Sequence, residues 1–458
     1  MTRGPASRPS AGPPRPYRFP AFERHTIANG VTVITAPVGK LPVVSVVALI
    51  DAGATCDPMG RDGLAALTAK LLLEGTKKLD GAALVDAFER LGASVDAGAG
   101  WDTAVVQLTV LRASVEPALV LLRDVLRDPA FPDREVLRLK AERQAVRMQI
   151  GTEPRELADE SFERFLYASE SRYAHPEAGR TASIGAITRD DVVAFYRGMY
   201  VPSRVTIIVA GDMTHAEGLA LATQTFGDWA GEPAATPVIT DAARSGGRRV
   251  QIVAKEEAPQ SELRIGHRGV PRNHPDHFKL VVMNAVLGGL FSSRINMNLR
   301  EQHGFAYGAH SSFEWRRGSG PFVVSTAVES GVTADATREV LAEIDRMRES
   351  PISADELSLA TSYLAGVFPI RYETTAAIAG ALTALAAYGY PADYFDTYRE
   401  KISAVTTEDV LHMARTHLHP DELLVLAVGD PQVVVEPLAT LSIGPVAIAS
   451  ADDVERDL

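Results

Sequence analysis

Apolar residues in this chain fall into two spacings. Residues 31–36, 43–50, 104–111 and 205–210 alternate or run apolar over strand lengths. Residues 63–73, 82–91, 115–126, 133–150 and 189–199 repeat their apolar positions every three or four residues, which predicts helices. Long helices thus lie between strands, and hairpin signals are few. The pattern predicts an α+β architecture, with a sheet on one side and helices on the other.

The chain also resembles itself. Ile187-Thr188-Arg189-Asp190-Asp191-Val192 matches Val405-Thr406-Thr407-Glu408-Asp409-Val410, 218 residues later. At the same spacing, Tyr200-Val201-Pro202 matches Leu418-His419-Pro420, and Gly211-Asp212 matches Gly429-Asp430. Thr188 and Thr406 each read as a helix N-cap followed by acids in the first turn. A second pair, Asp128-Pro129 with Asp133 and Glu135 against Ser350-Pro351 with Asp355 and Glu356, recurs in the same order. Two matches in one order predict a duplicated domain. Residues 231–246, rich in Gly, Ala, Pro and Ser, read as the linker. The expected domains are 22–230 and 247–440, with a disordered tail over 1–21 and a C-terminal tail over 441–458.

Composition narrows the function classes. The 458 residues are 46% apolar and 23% charged, as in an ordinary globular protein large enough for two cores. A net charge of -12 argues against a general nucleic-acid binder, which needs a basic face. The single cysteine, Cys56, excludes an intrachain disulfide and a thiolate metal cluster. No sequence run approaches the roughly 18 apolar residues of a membrane span. The first 20 residues hold six prolines and four arginines but no apolar signal core, so the expected location is the cytoplasm, or export without a recognisable signal.

The chemistry concentrates late in the chain. Gly288-Gly289-Leu290-Phe291-Ser292-Ser293-Arg294 precedes Leu299-Arg300-Glu301-Gln302-His303-Gly304-Phe305-Ala306-Tyr307. The glycine pair reads as a flexible stop. Ser292 or Ser293 caps the next helix, Gly304 breaks it, and Tyr307 is expected to open a strand on which Phe305 shares its face. This brings Arg300 and Tyr307 toward one point, with His303 and His310 flanking. His274, His277, His417 and His419 show no i, i+4 pairing with a helical carboxylate and read as loosely bonded surface residues.

The 299–307 stretch, with Gly63-Leu64-Ala65, Gly75-Thr76, the helix starting at Thr188 and Gly211-Asp212, resembles the insulinase and mitochondrial processing peptidase family of zinc proteases, over about residues 22–431. The resemblance implies two homologous domains, each a mainly antiparallel sheet with helices on one face, forming half of a clam-shaped chamber. It implies that Arg300 and Tyr307 hold the scissile carbonyl, donors aimed where negative charge grows. Gly288, Gly289 and Phe305 are the expected substrate-binding positions.

The departures from that family are as informative. Its inverted zinc helix needs His, Glu and His at positions one, four and five, and here those positions are Ala66, Ala69 and Lys70. The third ligand, an acid, belongs within 145–150, where none occurs. The resemblance therefore implies a non-catalytic subunit with no metal of its own, whose zinc is expected in a homologous partner, in a heterodimer or larger heteromer acting on peptides. The alternative it allows is a non-proteolytic scaffold like the core subunits of a respiratory complex.

Overall fold

The computed structural model describes residues 16–455 except 234, 236 and 237. It contains two six-stranded sheets. The first holds β1 (Glu23–Thr26), β2 (Thr32–Pro37), β3 (Val43–Ile50), β4 (Ser94–Ala99), β5 (Ala104–Leu111) and β6 (Val205–Gly211), in the order β1-β2-β6-β3-β5-β4. The second holds β7 (Arg249–Ala254), β8 (Gln260–Arg268), β9 (Ala309–Phe313), β10 (Pro321–Glu329), β11 (Leu424–Gly429) and β12 (Val446–Ala449), in the order β12-β7-β11-β8-β10-β9. Five strands correspond one to one in the same order, as duplication requires. Most neighbours in both sheets are antiparallel, and β2–β6 and β7–β11 are parallel at matching places.

The sheets differ at one edge. In the first, β1 folds onto β2 as an antiparallel hairpin. Its turn is Asn29-Gly30, with Gly30 at φ +96°, a signal the sequence carried but the pattern reading passed over. In the second, β12 returns from the C-terminal end and lies parallel to β7. The expected C-terminal tail thus supplies an edge strand and the short Ala451–Glu455 helix. The expected N-terminal tail is also revised where it is described. Phe19 is buried and stacks on Phe395 at 4.2 Å, and Tyr17 packs edge-on against Phe368. Apolar rings interrupt the prolines here, and the second core takes them in. Residues 1–15 lie outside the described set.

The repeated Thr-x-x-Asp starts are capping boxes. Thr188 Oγ accepts from the Asp191 N–H while the Asp191 carboxylate accepts from the Thr188 N–H, and Thr406 with Asp409 does the same. Pro202 and Pro420 each open a short 3₁₀ turn ahead of a strand.

Both central strands read as continuous apolar runs because both their faces are covered. Val44, Val46, Ala48 and Ile50 of β3 face the first half's own helices. Val47 and Leu49, with Ile34, Ala36, Ile208 and Ala210, face the other way into the second half's core. The cover there is the Thr375–Tyr388 helix, which lies on β3 and β6 through Ile378, Ala379 and Leu382. Thr375 Oγ meets Ser45 Oγ at 2.8 Å. The exchange is reciprocal. The Pro154–Leu166 helix of the first half lies on β8 and β11, with Leu157, Ala158, Phe162 and Leu166 against Val253, Leu424, Leu426 and Val428. Each sheet therefore carries its own helices on one face and a single helix of the opposite half on part of the other.

The seam is locked by the β9–β10 hairpin tip. The Arg316 guanidinium sits 4.3 Å over Trp101 and 4.7 Å over Tyr173 and pairs with Glu163. The Arg317 N–H donates to Asp102, and the Tyr167 hydroxyl donates to the Ser319 carbonyl at 2.8 Å. The later part of the predicted linker runs as an ordered strap, with Ala243 bridged to Tyr167 and Asp241 accepting from the Ser319 N–H.

Because Phe162 fills the contact between one half's helix and the other half's sheet, Phe162→Ala should destabilise the whole chain by about 3–5 kcal/mol. The expected urea curve is a single transition at lower midpoint, followed by far-UV circular dichroism and tryptophan fluorescence together. Two separated transitions would show that the halves unfold independently.

Candidate functional site

The helix-to-turn region after β8 is built around two π-helical turns, Ala285–Gly289 and Met297–Gln302. Such turns are uncommon and tend to sit at functional sites. Gly288 serves packing here. A Cβ on it would stand 2.3 Å from Ser311 Oγ and 2.6 Å from the Ser311 nitrogen, so only glycine lets the turn lie flush on β9. Gly289 is similarly tight against Asn284, at 3.0 Å. The expected flexible stop is thus a close contact.

Three asparagines tie the region together. The Asn284 amide donates to the Ser311 carbonyl, and the Ser311 hydroxyl donates back to it. Asn296 accepts from the Ala309 N–H at 2.9 Å and donates to the Phe291 carbonyl, joining the turn after Gly289 to the start of β9. Asn298 donates to Glu339 and Glu343. These positioning residues were missed in the sequence. A signal was present at Asn284, a lone amide inside the apolar run 280–287, where an unpaired polar group is costly; Asn296 and Asn298 sit among other polar residues and carried none. Arg294 anchors the segment's start on Glu356 through contacts of 2.6 and 3.0 Å, which hold that carboxyl down to about 2. By length and composition the stretch His277–Gln302 is apolar enough to cross a membrane, but half of it is buried in this fold and the Leu290–Ser293 turn interrupts it.

Gly304 stands at φ +67° and ends the helical segment, with the Phe305 N–H donating to the Leu299 carbonyl at 2.8 Å. The chain then reaches Tyr307 before β9 begins at Ala309, so Tyr307 precedes the strand rather than opening it. Phe305 and Tyr307 accordingly part company. Phe305 is half-buried against the second core and stacked on His303, whereas Tyr307 is 93% exposed.

Arg300 and Tyr307 line one cleft of about 850 Å³ with Gly288, Gly289 and Phe291, and Phe305 is not among its lining residues. The Arg300 guanidinium lies 4.7 Å over the exposed Phe291 ring, and its side chain is 40% exposed. Its Nε sits 3.2 Å from Glu301. The cleft floor is an ion network from both halves, in which buried Arg264 donates to Asp159 of the crossing helix and to Glu262 of β8. His310 lines the same cleft, and His303 lies 3.7 Å from Glu339 outside it.

The positions of a zinc helix lie on the Leu64–Leu71 helix. Ala66 and Ala69 are buried, and the Lys70 ammonium donates to Asp96 of β4 at 3.1 Å. The 145–150 window presents Arg147, which is buried, donates to Glu455 at 2.8 Å and pairs with Glu160. Two methyl groups and an ammonium offer no lone pair, so these residues do not fit a zinc ion.

Comparison with known proteins bears on the family and the fold. The profile of the insulinase family, Peptidase family M16, matches residues 33–171, and that of the Peptidase M16 inactive domain matches residues 186–364. An uncharacterized zinc protease of Bacillus subtilis is 22% identical over 77% of this chain and 85% of its own length. A probable mitochondrial-processing peptidase subunit beta of Schizosaccharomyces pombe is 29% identical over 59% of each chain. The crystal structure of a peptidase M16 inactive domain from Pseudomonas fluorescens superposes with a TM-score of 0.84 at 27% identity, covering 90% of this chain and 98% of that one. A chain of complex III2 from Candida albicans shares the fold, with a TM-score of 0.74 at 17% identity over 90% and 96% of the two chains.

Two outcomes follow from this geometry. Purified and supplied with zinc, the chain alone should hydrolyse no peptide above blank; zinc-dependent turnover by the isolated chain would show that ligands other than Ala66, Ala69 and Lys70 had been overlooked. Because Glu356 is depressed in the fold relative to its usual value near 4.5, its anchor is complete above that pH and is lost as the pH falls toward about 2. Glu356→Gln should therefore flatten that part of the acid-unfolding curve, and an unchanged curve would remove Glu356 from the acid response.

Proposed function

This chain belongs to the insulinase (M16) family of peptidases, and from that premise we propose that it is the non-catalytic subunit of a heteromeric zinc metalloendopeptidase. The hydrolytic centre would belong to a homologous zinc-bearing partner, and this chain would help to enclose the peptide and present Arg300 and Tyr307 to its reacting carbonyl.

The observation that carries the proposal is the placement of Tyr307. A tyrosine kept for packing buries its ring and satisfies its hydroxyl. Tyr307 leaves its ring unburied and its hydroxyl free of any contact within the fold's core: it stands 93% exposed at the cleft that also holds Arg300. Phenol and guanidinium are both donors, and at neutral pH neither acts as a base. Their use is to stabilise oxygen as it gains negative charge. The ion network of Arg264, Asp159 and Glu262 holds the cleft floor in place while the lip stays open to solvent. The sheet edges at β4 and β9 offer backbone to an extended peptide.

The test is reconstitution with a zinc-bearing partner encoded in the same genome. Tyr307→Phe keeps the ring and deletes one donor, so the complex should assemble normally by size exclusion while turnover falls on the order of 100- to 1000-fold. Arg300→Ala should lower turnover and raise KM. Equal cleavage rates for wild type and Tyr307→Phe would defeat the proposal and favour a non-proteolytic scaffold.

A further inference from the structure

Away from the cleft, the second half gathers two imidazoles and a carboxylate from distant parts of the chain. His274 and Asp276 lie in the turn leading into the His277–Asn284 helix. His417 ends the Thr407–His417 helix packed beside it, 141 residues beyond Asp276. His417 Nε2 stands 2.9 Å from Asp276 Oδ2, and His274 Nδ1 stands 3.8 Å from the same oxygen. One ligand atom from each residue falls within 4.8 Å of the other two. The two rings meet edge to face with centroids 5.0 Å apart. His417 is buried, whereas His274 and Asp276 are partly exposed, so the cluster opens on one side to water.

We infer that His274, Asp276 and His417 form a binding site for a divalent transition-metal ion of the zinc or cobalt class, with solvent completing its shell. Two imidazoles and one carboxylate suit such ions, while calcium and magnesium favour oxygen donors throughout. Metal-to-donor distances of about 2.0–2.2 Å place tetrahedral donors roughly 3.3 Å apart. Two edges of the triangle, 2.9 and 3.8 Å, bracket that spacing and the third is within 4.8 Å, so side-chain movement can bring the donors to it. It would replace the His417–Asp276 hydrogen bond. Ligation through His274 Nδ1 would also displace the Asp276 N–H contact of 3.2 Å. Lys279, three residues on, is paired with Asp409 at 2.7 Å and is not the partner of Asp276.

The duplication supplies a control. The place of His417 in the first half, 218 residues earlier, is taken by Met199, the last residue of the Arg189–Met199 helix. The ligand set is therefore no requirement of the repeated fold. A bound ion would clip the end of one helix to the start of another, and that second helix runs directly into the π-turn at Gly288. The site is separate from the Leu64–Leu71 helix and stands whether or not the chain serves a peptidase.

The experiment is titration of the full chain with Co²⁺ after removal of metals by a chelator. The expected result is saturable binding of one equivalent with visible d–d absorption, reversed by Zn²⁺ and unaffected by Ca²⁺ or Mg²⁺. His274→Ala and His417→Gln should each weaken binding by about 100-fold or more, since even outer partners of a metal site contribute ~10–100-fold. Zn²⁺ should raise the melting temperature of the wild type and leave that of His274→Ala unchanged. His274 is partly exposed, so this variant keeps the test valid should replacement of buried His417 impair folding. No saturable binding in the wild type, or equal binding in wild type and His274→Ala, would overturn the inference.

Discussion

The exchange of helices between the two sheets is the constraint on which this molecule rests. Ile34, Ala36, Val47, Leu49, Ile208 and Ala210 form an apolar face that the first half cannot cover by itself. Val253, Leu424, Leu426 and Val428 leave the second half in the same position. Full burial of each of the eight valine, leucine and isoleucine side chains among them contributes about 1.5–3 kcal/mol, so together they far exceed what surface ion pairs supply. The seam adds specificity to this apolar contact. Buried Arg316 enters an aromatic and acidic environment made by Trp101, Tyr173 and Glu163 of the first half, beside Glu314 of its own hairpin. Breaking such a pair leaves a buried charge without compensation.

The cleft exists because the exchange is incomplete. Each crossing helix covers chiefly the central strands, β3 and β6 in one sheet and β8 and β11, with part of β7, in the other. The outer strands keep an open face, and there Arg300 and Tyr307 reach solvent on a turn fixed by Asn296 and Gly304. The residues at 66, 69 and 70 suit their surroundings. The Leu64–Leu71 helix is buried on nearly every position except Lys70, and alanines at 66 and 69 suit that packing.

Much of this was legible in the sequence, and the limits are instructive. The helices at 115–126, 133–150 and 189–199 and the strands at 43–50 and 104–111 stand within a residue or two of their predicted bounds, because their periodicity is strong. β4, with the sequence SVDAGA, escaped notice because small and polar residues at a sheet edge leave little pattern. The Pro154–Leu166 helix was missed altogether. Even had it been read, its apolar stripe would not have revealed which sheet it covers, since amphipathicity names a face and not a partner. The pairing of Arg300 with Tyr307 at one cleft was visible as a spacing of seven, but the separate course of Phe305 depended on where β9 begins. The proximity of His274 and His417 was not legible either, because they are far apart in sequence and only the packing of two helix ends brings them together.

The crossing helices also recast what the covalent link between the halves does. Viewed by its contacts, this chain is a domain-swapped dimer fused into one polypeptide. Each half donates an arm to the other, as two copies of a single ancestral unit would have done before fusion. The covalent connection between the halves then raises the effective concentration of one half for the other. A chain opened within that connection would still hold both exchanged helices, the Arg316 lock and the strap at Asp241. Neither half covers its exposed apolar sheet face without the other, so each completes its core with a part of its neighbour.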